Sequence, residues 1–222
     1  MDNVKMKKED FLCKSAGFTL VEILVVIAIV AILGTIMVAI FTNTLRGSNK
    51  SQILAVIKQN GQAVLDNIDK SVRNADNIVC PQVNPPLTSV SSNTLVIVKN
   101  GVYTRYRITL STDATGTAPS SCIGVGKNGC LILDNPTLAG STQLLINQVC
   151  SSVDPMSGAQ ILSDTNSESG VSIKGGLFTR NTQAGSKDSI GISFTLGPGA
   201  GSPTALTSQM DPVTFQTTVE LR

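Results

Sequence analysis

The feature that most constrains this chain is an apolar run near its N-terminus. Between residues 18 and 41 every residue is apolar except Thr19, Glu22, Gly34 and Thr35. As a helix, these residues would extend about 36 Å, which is enough to cross the hydrocarbon core of a bilayer. The run therefore predicts a single transmembrane helix.

Glu22 is the residue in this run that needs an explanation. An ionised carboxylate inside the hydrocarbon costs about 2.5–3.5 kcal/mol on insertion scales, so it calls for a partner. The apolar helix itself offers none. Two interpretations remain open: Glu22 pairs with a positive charge from outside its own helix, or it lies near the helix end and reaches the head groups.

The residues in front of the apolar run are also unusual. Lys14 to Gly17 form a short hydrophilic segment that ends directly against Phe18, and Glu22 is the fifth residue after that glycine. A secretory signal is cleaved behind its apolar run, at small residues. Here the candidate cleavage position lies before the run.

The sequence GFTLVE, followed by an unbroken apolar helix, closely resembles the type IV prepilin class. This class comprises type IV pilins, pseudopilins of type II secretion and competence pseudopilins. The resemblance implies that a membrane-embedded aspartic prepilin peptidase cleaves between Gly17 and Phe18 and methylates the new amine on Phe18. It also implies that Glu22 meets the terminal amine of a neighbouring subunit, an attraction that is strong once both charges are desolvated.

In this interpretation residues 1–17 are a leader that is removed. The lysines closest to the apolar run favour a cytoplasmic N-terminus, although the overall bias is weak because Arg46 and Lys50 follow the other end. The resemblance implies the same orientation. The expected location is a single-pass inner or cytoplasmic membrane protein with an exported head, which then enters a pilus or pseudopilus.

The cysteine count agrees with cleavage and export. Loss of the leader removes Cys13 and leaves an even number, as an oxidising compartment favours: Cys80, Cys122, Cys130 and Cys150. Three pairings are open, and we favour Cys122 with Cys130 and Cys80 with Cys150 because the first closes a short glycine-rich loop. On the chain-entropy model the short loop is worth about 2.6 kcal/mol and the long one about 4 kcal/mol. The alternative is four reduced, buried thiols.

The rest of the chain predicts an α+β fold. Apolar residues at helical spacing from Ser51 to Val79 predict an amphipathic helix that continues the membrane helix, with residues 42–50 as a candidate hinge. Pro81 is expected to end it. The predicted domains are a leader (1–17), a transmembrane or filament-core helix (18–41), its amphipathic continuation (42–80) and a disulfide-stabilised antiparallel β head packed on the helix (81–222).

Seven segments of the head have strand-like patterns separated by turn residues, and Asn100-Gly101 predicts a hairpin turn. The predicted strands are Thr94–Lys99, Val102–Leu110, Leu131–Asp134, Leu144–Cys150, Gly176–Arg180, Ile190–Leu196 and Val213–Leu221.

The composition disfavours catalysis. The chain has no histidine, which removes the common triads, histidine-based zinc sites and the usual proton shuttle at neutral pH. The cysteines lack paired CxxC spacing, and Asp154, Asp164 and Glu168 do not match a calcium loop. We therefore expect no catalytic residues, no metal and no cofactor.

One strand suggests a second function. Alternation places Tyr103, Arg105 and Arg107 on one face, where guanidinium groups and a ring could hold a nucleic acid, as in a competence pilin. The alternative is an ordinary solvated strand face, which the nearly balanced charge of the chain favours.

The sequence as a whole predicts a non-enzymatic filament subunit. Its length, the VYTRYRI strand after a helix ending in SVRNADNIV, and the terminus TFQTTVELR make it more similar to the larger minor pilins and minor pseudopilins than to a major pilin. The implied partners are prepilin peptidase, other pilin or pseudopilin subunits, the inner-membrane assembly platform and the membrane. A rival interpretation is a membrane-tethered adhesin or binding module that never polymerises.

Overall fold

The computed structural model describes residues 17–84, 86, 88–113, 116, 118–137, 143–151, 156, 158–183, 185–203 and 210–221. The predicted leader, apart from Gly17, lies outside these residues, as do Cys13 and Asp154. The described chain separates into two compact units, with the boundary between Arg46 and Gly47.

The predicted α+β class is confirmed: a long N-terminal helix is followed by antiparallel sheets. The elements in chain order are α1 (Leu20–Arg73), β1 (Asn77–Cys80), β2 (Ser89–Ser92), β3 (Thr94–Lys99), β4 (Val102–Thr109), β5 (Cys130–Asp134), α2 (Gln143–Cys150), β6 (Gln160–Ile161), β7 (Val171–Asn181), β8 (Ser189–Pro198) and β9 (Val213–Glu220).

Helix α1 has 54 residues. Residues 42–50 are helical throughout, so the candidate hinge there is not a break in secondary structure. The helix also ends at Arg73, earlier than the predicted Val79. The reason is tertiary: Asn77–Cys80 forms β1 and pairs antiparallel with β3, and this ladder takes the backbone groups that a longer helix would use.

The strands form two antiparallel sheets. One has the order β1-β3-β4-β5-β6 and the other has the order β2-β7-β8-β9. The β3–β4 hairpin turns at Asn100 (φ 50°) and Gly101 (φ 78°), and both positive angles are those that the predicted turn needs.

The main core lies between α1 and both sheets, within the unit that begins at Gly47. Five residues at helical spacing form the buried face of α1: Ile57, Gly61, Val64, Ile68 and Val72. The aliphatic side chains among them join one cluster with buried strand residues such as Leu95, Tyr106 and Phe194. The amphipathic stripe predicted from the sequence is therefore the face that packs on the head.

The prediction for Leu144–Cys150 is wrong. Gln143–Cys150 is helix α2, not a strand. A short apolar run contains too few residues for its hydrophobic periodicity to distinguish a helix from a strand. The strands β1, β2 and β6 were missed because they are short and their pairing partners are distant in sequence, such as Thr179 for Ser91.

Candidate processing and assembly site

The residues of the predicted cleavage motif lie at the start of α1. Gly17, Phe18 and Thr19 precede the first helical residue, Leu20. Thr19 is the N-cap: its Oγ1 accepts a hydrogen bond from the Glu22 backbone N–H at 3.3 Å, and its carbonyl accepts one from the Ile23 N–H. The helix therefore begins immediately after the predicted new terminus.

Glu22 occupies the first turn of α1. Thr19 and Glu22 have the spacing of a capping box, a signal in the sequence that the motif-based interpretation overlooked. At this position a carboxylate is favoured by the positive end of the helix dipole. The salt bridges among the described residues are those of Arg73, Arg105 and Arg180, and none of them involves Glu22.

The apolar run is exposed in the part of the chain that the structure describes. Every residue from 17 to 50 is exposed, including Phe18 at 74 % and Leu20 at 76 %. Among the described residues, α1 is the one helix that is long and apolar enough to cross a membrane, judged by length and composition. A continuous apolar surface of this size requires lipid or other helices around it.

The structure corrects the interpretation of Arg105. Its side chain is 2 % exposed and donates from Nε to Asp134 Oδ1 at 2.8 Å. Arg105 and Asp134 are direct partners in the β4–β5 ladder, so the salt bridge is a cross-strand pair. Arg105 therefore lies on neither a solvated face nor a nucleic-acid surface.

Arg107 is buried in the same way, at 1 % exposed. It donates from Nε to Thr94 Oγ1 at 3.3 Å and from Nη2 to the Ser151 carbonyl at 2.8 Å. Tyr103 is partly buried against a small cluster around Cys80 and Val149. The predicted nucleic-acid contact is thus corrected for the two arginines: internal partners satisfy their guanidinium groups and join the sheet to the segment around α2, while Tyr103 contributes packing.

Two disulfides join the head, Cys80 to Cys150 and Cys122 to Cys130, with Cα–Cα distances of 5.6 and 5.5 Å. These are the pairs that the sequence favoured. The first ties β1 to the last residue of α2, where Arg105 Nη1 also reaches the Val149 carbonyl at 3.4 Å. The C-terminal end of α2 is therefore held by a covalent bond and two guanidinium groups.

No group of three or more histidine, cysteine or acidic side chains that could hold a metal occurs in the described part of the chain. Asp164 Oδ1 instead accepts the Asn166 backbone N–H at 3.0 Å.

Residues 12–38 match the protein-family model described as the prokaryotic N-terminal methylation motif. The match includes Gly17, Phe18 and Glu22. Neither the curated proteins nor the solved structures gave a match to the chain.

A long helix with an apolar N-terminal part, followed by antiparallel sheets, is consistent with a pilin-like architecture. The methylation motif at its N-terminus makes this chain similar to type IV prepilins in that segment.

Proposed function

We propose that this protein is a non-enzymatic subunit of a type IV pilus-like or type II secretion pseudopilus filament, and a minor component of it. The observation that carries the proposal is the methylation-motif match at residues 12–38. It coincides with an uncovered apolar helix whose first turn contains a carboxylate.

Processing is the first step. Prepilin peptidase removes residues 1–17 as a leader and methylates the amine of Phe18. Residues 18–41 then serve first as a membrane anchor and later as a filament-core helix, because a helix that is apolar on all sides suits both lipid and a bundle of similar helices. Helix α1 continues beyond this segment to Arg73, and the chain from β1 onward forms the sheets of the exported head.

Assembly uses Glu22. Its carboxylate pairs with the Phe18 amine of a neighbouring subunit as the chain leaves the inner membrane through the assembly platform. The capped helix start supports this role, since Thr19 lies next to Phe18 and fixes the first turn without using the Glu22 side chain. The carboxylate remains available for a charge on another chain.

The N-terminal mass of the full chain tests the proposal. The chain is expressed with and without a prepilin peptidase, and the purified protein is analysed by mass spectrometry. We expect a terminus at methylated Phe18 only when the peptidase is present. Replacing Gly17 with valine should block cleavage, while replacing Gly34 with valine, within α1 and away from the cleavage position, should not. A terminus at Met1 in the presence of active peptidase would favour the tethered binding module instead.

A further inference from the structure

The outer face of the β2-β7-β8-β9 sheet carries two polar recesses. The larger has a volume of about 510 Å³ and lies beside the β7–β8 connection. One residue from each of the four strands lines it: Ser89, Asn181, Ser189 and Glu220. The smaller, of about 420 Å³, lies over the middle of β7, β8 and β9. Both volumes are within the range of about 300–1,000 Å³ found for small-molecule sites.

Strand register makes these recesses neighbours on one face. Ser189 pairs with Glu220 in the larger recess, and two residues further along Gly191 pairs with Thr218 in the smaller. Each step of two residues advances about 6.6 Å and returns to the same side of the sheet. We call these two neighbouring recesses together the polar trough.

Gly191 forms part of the floor of the polar trough. It pairs with Thr179 on one side and with Thr218 on the other. Because glycine has no side chain, a gap remains between the two threonines. A Cβ placed there would meet Thr179 Cβ at 3.7 Å, an ordinary van der Waals contact. A larger side chain at this position would therefore fill the smaller recess without straining the sheet.

The lining of the polar trough is rich in groups that both donate and accept hydrogen bonds. Several of its hydroxyl and amide side chains form no hydrogen bond with any other residue that the structure describes: Ser89, Asn181, Gln183, Ser193, Gln216 and Thr218. Hydroxyls and amides offer a donor and an acceptor together, which matches a ligand with the same property.

Charge narrows the choice of ligand. The described lining contains one cation, Lys187, and one anion, Glu220. A polyanion would be repelled by Glu220, and a polycation by Lys187, whereas a neutral ligand meets neither penalty. The one aliphatic lining residue, Ile192, is 1 % exposed, and the lining is more polar than apolar, so it suits a polar ligand better than an apolar one.

We propose that the polar trough binds a neutral linear oligosaccharide. Ser189 and Ser193 are about 13 Å apart along an extended strand, so a linear chain of several sugars can contact both recesses. Each hydrogen bond to the ligand replaces one to water, so a single chain should bind weakly, with a millimolar Kd. If the chain also forms a filament, many copies would raise the avidity. That step alone rests on the proposed function.

The test uses the full chain in a detergent without a sugar head group. Cellotetraose, maltotetraose and chitotetraose are titrated separately, and binding is followed by ligand-observed NMR. We expect saturable, millimolar binding of at least one of them, unchanged between low and high salt because the ligand is neutral. Gly191→Val should weaken that binding about tenfold or more by filling the floor, and Gln216→Ala should weaken it by removing an amide.

Gly175→Val is the matched control. Gly175 is also an open position, pairs with Thr195 in the same sheet, and does not line either recess. It should bind like the unmodified chain. The proposal is overturned if none of the three sugars binds or if the two valine variants weaken binding equally. Neither of these results would alter the N-terminal mass that tests the filament proposal.

Discussion

The ring of Phe215 occupies the space that a side chain at Gly61 would need. Gly61 is a buried position on α1, and Phe215 belongs to β9. The ring of Phe215 also stacks on the ring of Phe194, and the two ring centroids are 5.5 Å apart. The ring is therefore confined between a helix backbone and a fully buried aromatic side chain. Close approach of helix and sheet here depends on glycine.

Gly61→Ala should consequently destabilise the head. A Cβ would overlap the Phe215 ring, and overpacking of this kind costs about 1–3 kcal/mol. The higher helix propensity of alanine offsets about 1 kcal/mol of that cost. Urea unfolding in detergent, followed by the circular dichroism of the head, measures the difference. Gly47→Ala, in the same helix with open space around it, should be neutral or stabilising; equal effects at both positions would contradict the packing relationship.

The Arg105–Asp134 salt bridge should be sensitive to loss of one partner. Asp134→Asn leaves the guanidinium of Arg105 buried without its counter-charge, and breaking a buried pair in this way costs about 3–5 kcal/mol. The free energy of unfolding measures this. The control is Asp69→Asn, which breaks the exposed Arg73–Asp69 pair one helical turn apart on α1 and should change stability little. A similar effect of the two substitutions would show that water reaches the Arg105 pair in solution.

The two disulfides should contribute unequally. Cys80 and Cys150 are 70 residues apart and Cys122 and Cys130 are 8 apart, so the chain-entropy model assigns about 4 and about 2.6 kcal/mol. Paired serine substitutions, compared by urea unfolding of the exported protein, should therefore destabilise the head more for Cys80 with Cys150. The reverse order would mean that side-chain packing around the sulfur atoms matters more than loop closure.

Tyr106 should make the head sensitive to alkaline pH. Burial raises the pKa of its phenol above 10, and its hydroxyl contacts Ser71 Oγ at 2.7 Å on α1. The raised pKa belongs to the folded state, in which the phenol stays neutral. The contribution of neutral Tyr106 to the free energy of unfolding is therefore complete below about pH 10 and is lost as the pH rises above it. Thermal unfolding between pH 8 and 11 measures the slope, which should be shallower in Tyr106→Phe. An equal slope in both proteins would assign the alkaline loss to other groups.

Glu22→Ala should separate processing from assembly. Cleavage should continue, since Thr19 caps the helix through the Glu22 backbone N–H and not its side chain. Incorporation into filaments should fall about tenfold or more, because losing 1.4 kcal/mol already gives that factor. Sheared filaments, quantified against total processed protein, measure it. Thr35→Ala is the control, as that hydroxyl donates to the Ile32 carbonyl within its own helix. Normal filament yield with alanine at position 22 would remove the pairing role.

Local patterns predicted much of the head. Thr94–Lys99 is a strand with the predicted ends, and Asn100-Gly101 turns it back on itself, because alternation and turn chemistry act over a few residues. The apolar stripe of α1 was also predictable, through the 3.6-residue period that puts Ile57, Val64 and Ile68 on one face.

The environment of the arginines could not be predicted in this way. Alternation placed Arg105 and Arg107 on a common face, but whether that face meets water depends on Asp134 and Ser151, which reach them through strand pairing and the placement of α2. The same holds for α2 itself and for the early end of α1, where distant pairing overrode a local apolar run.

The sequence alone therefore determined the N-terminal part of the molecule, an apolar helix with one carboxylate in its first turn. Length, hydropathy and the spacing from Gly17 can be determined from the sequence because they are properties of one continuous segment. The tertiary structure alone decided which polar groups are buried, where α1 stops and what shape the head presents. Those outcomes depend on which distant residues compete for the same hydrogen bonds and the same space.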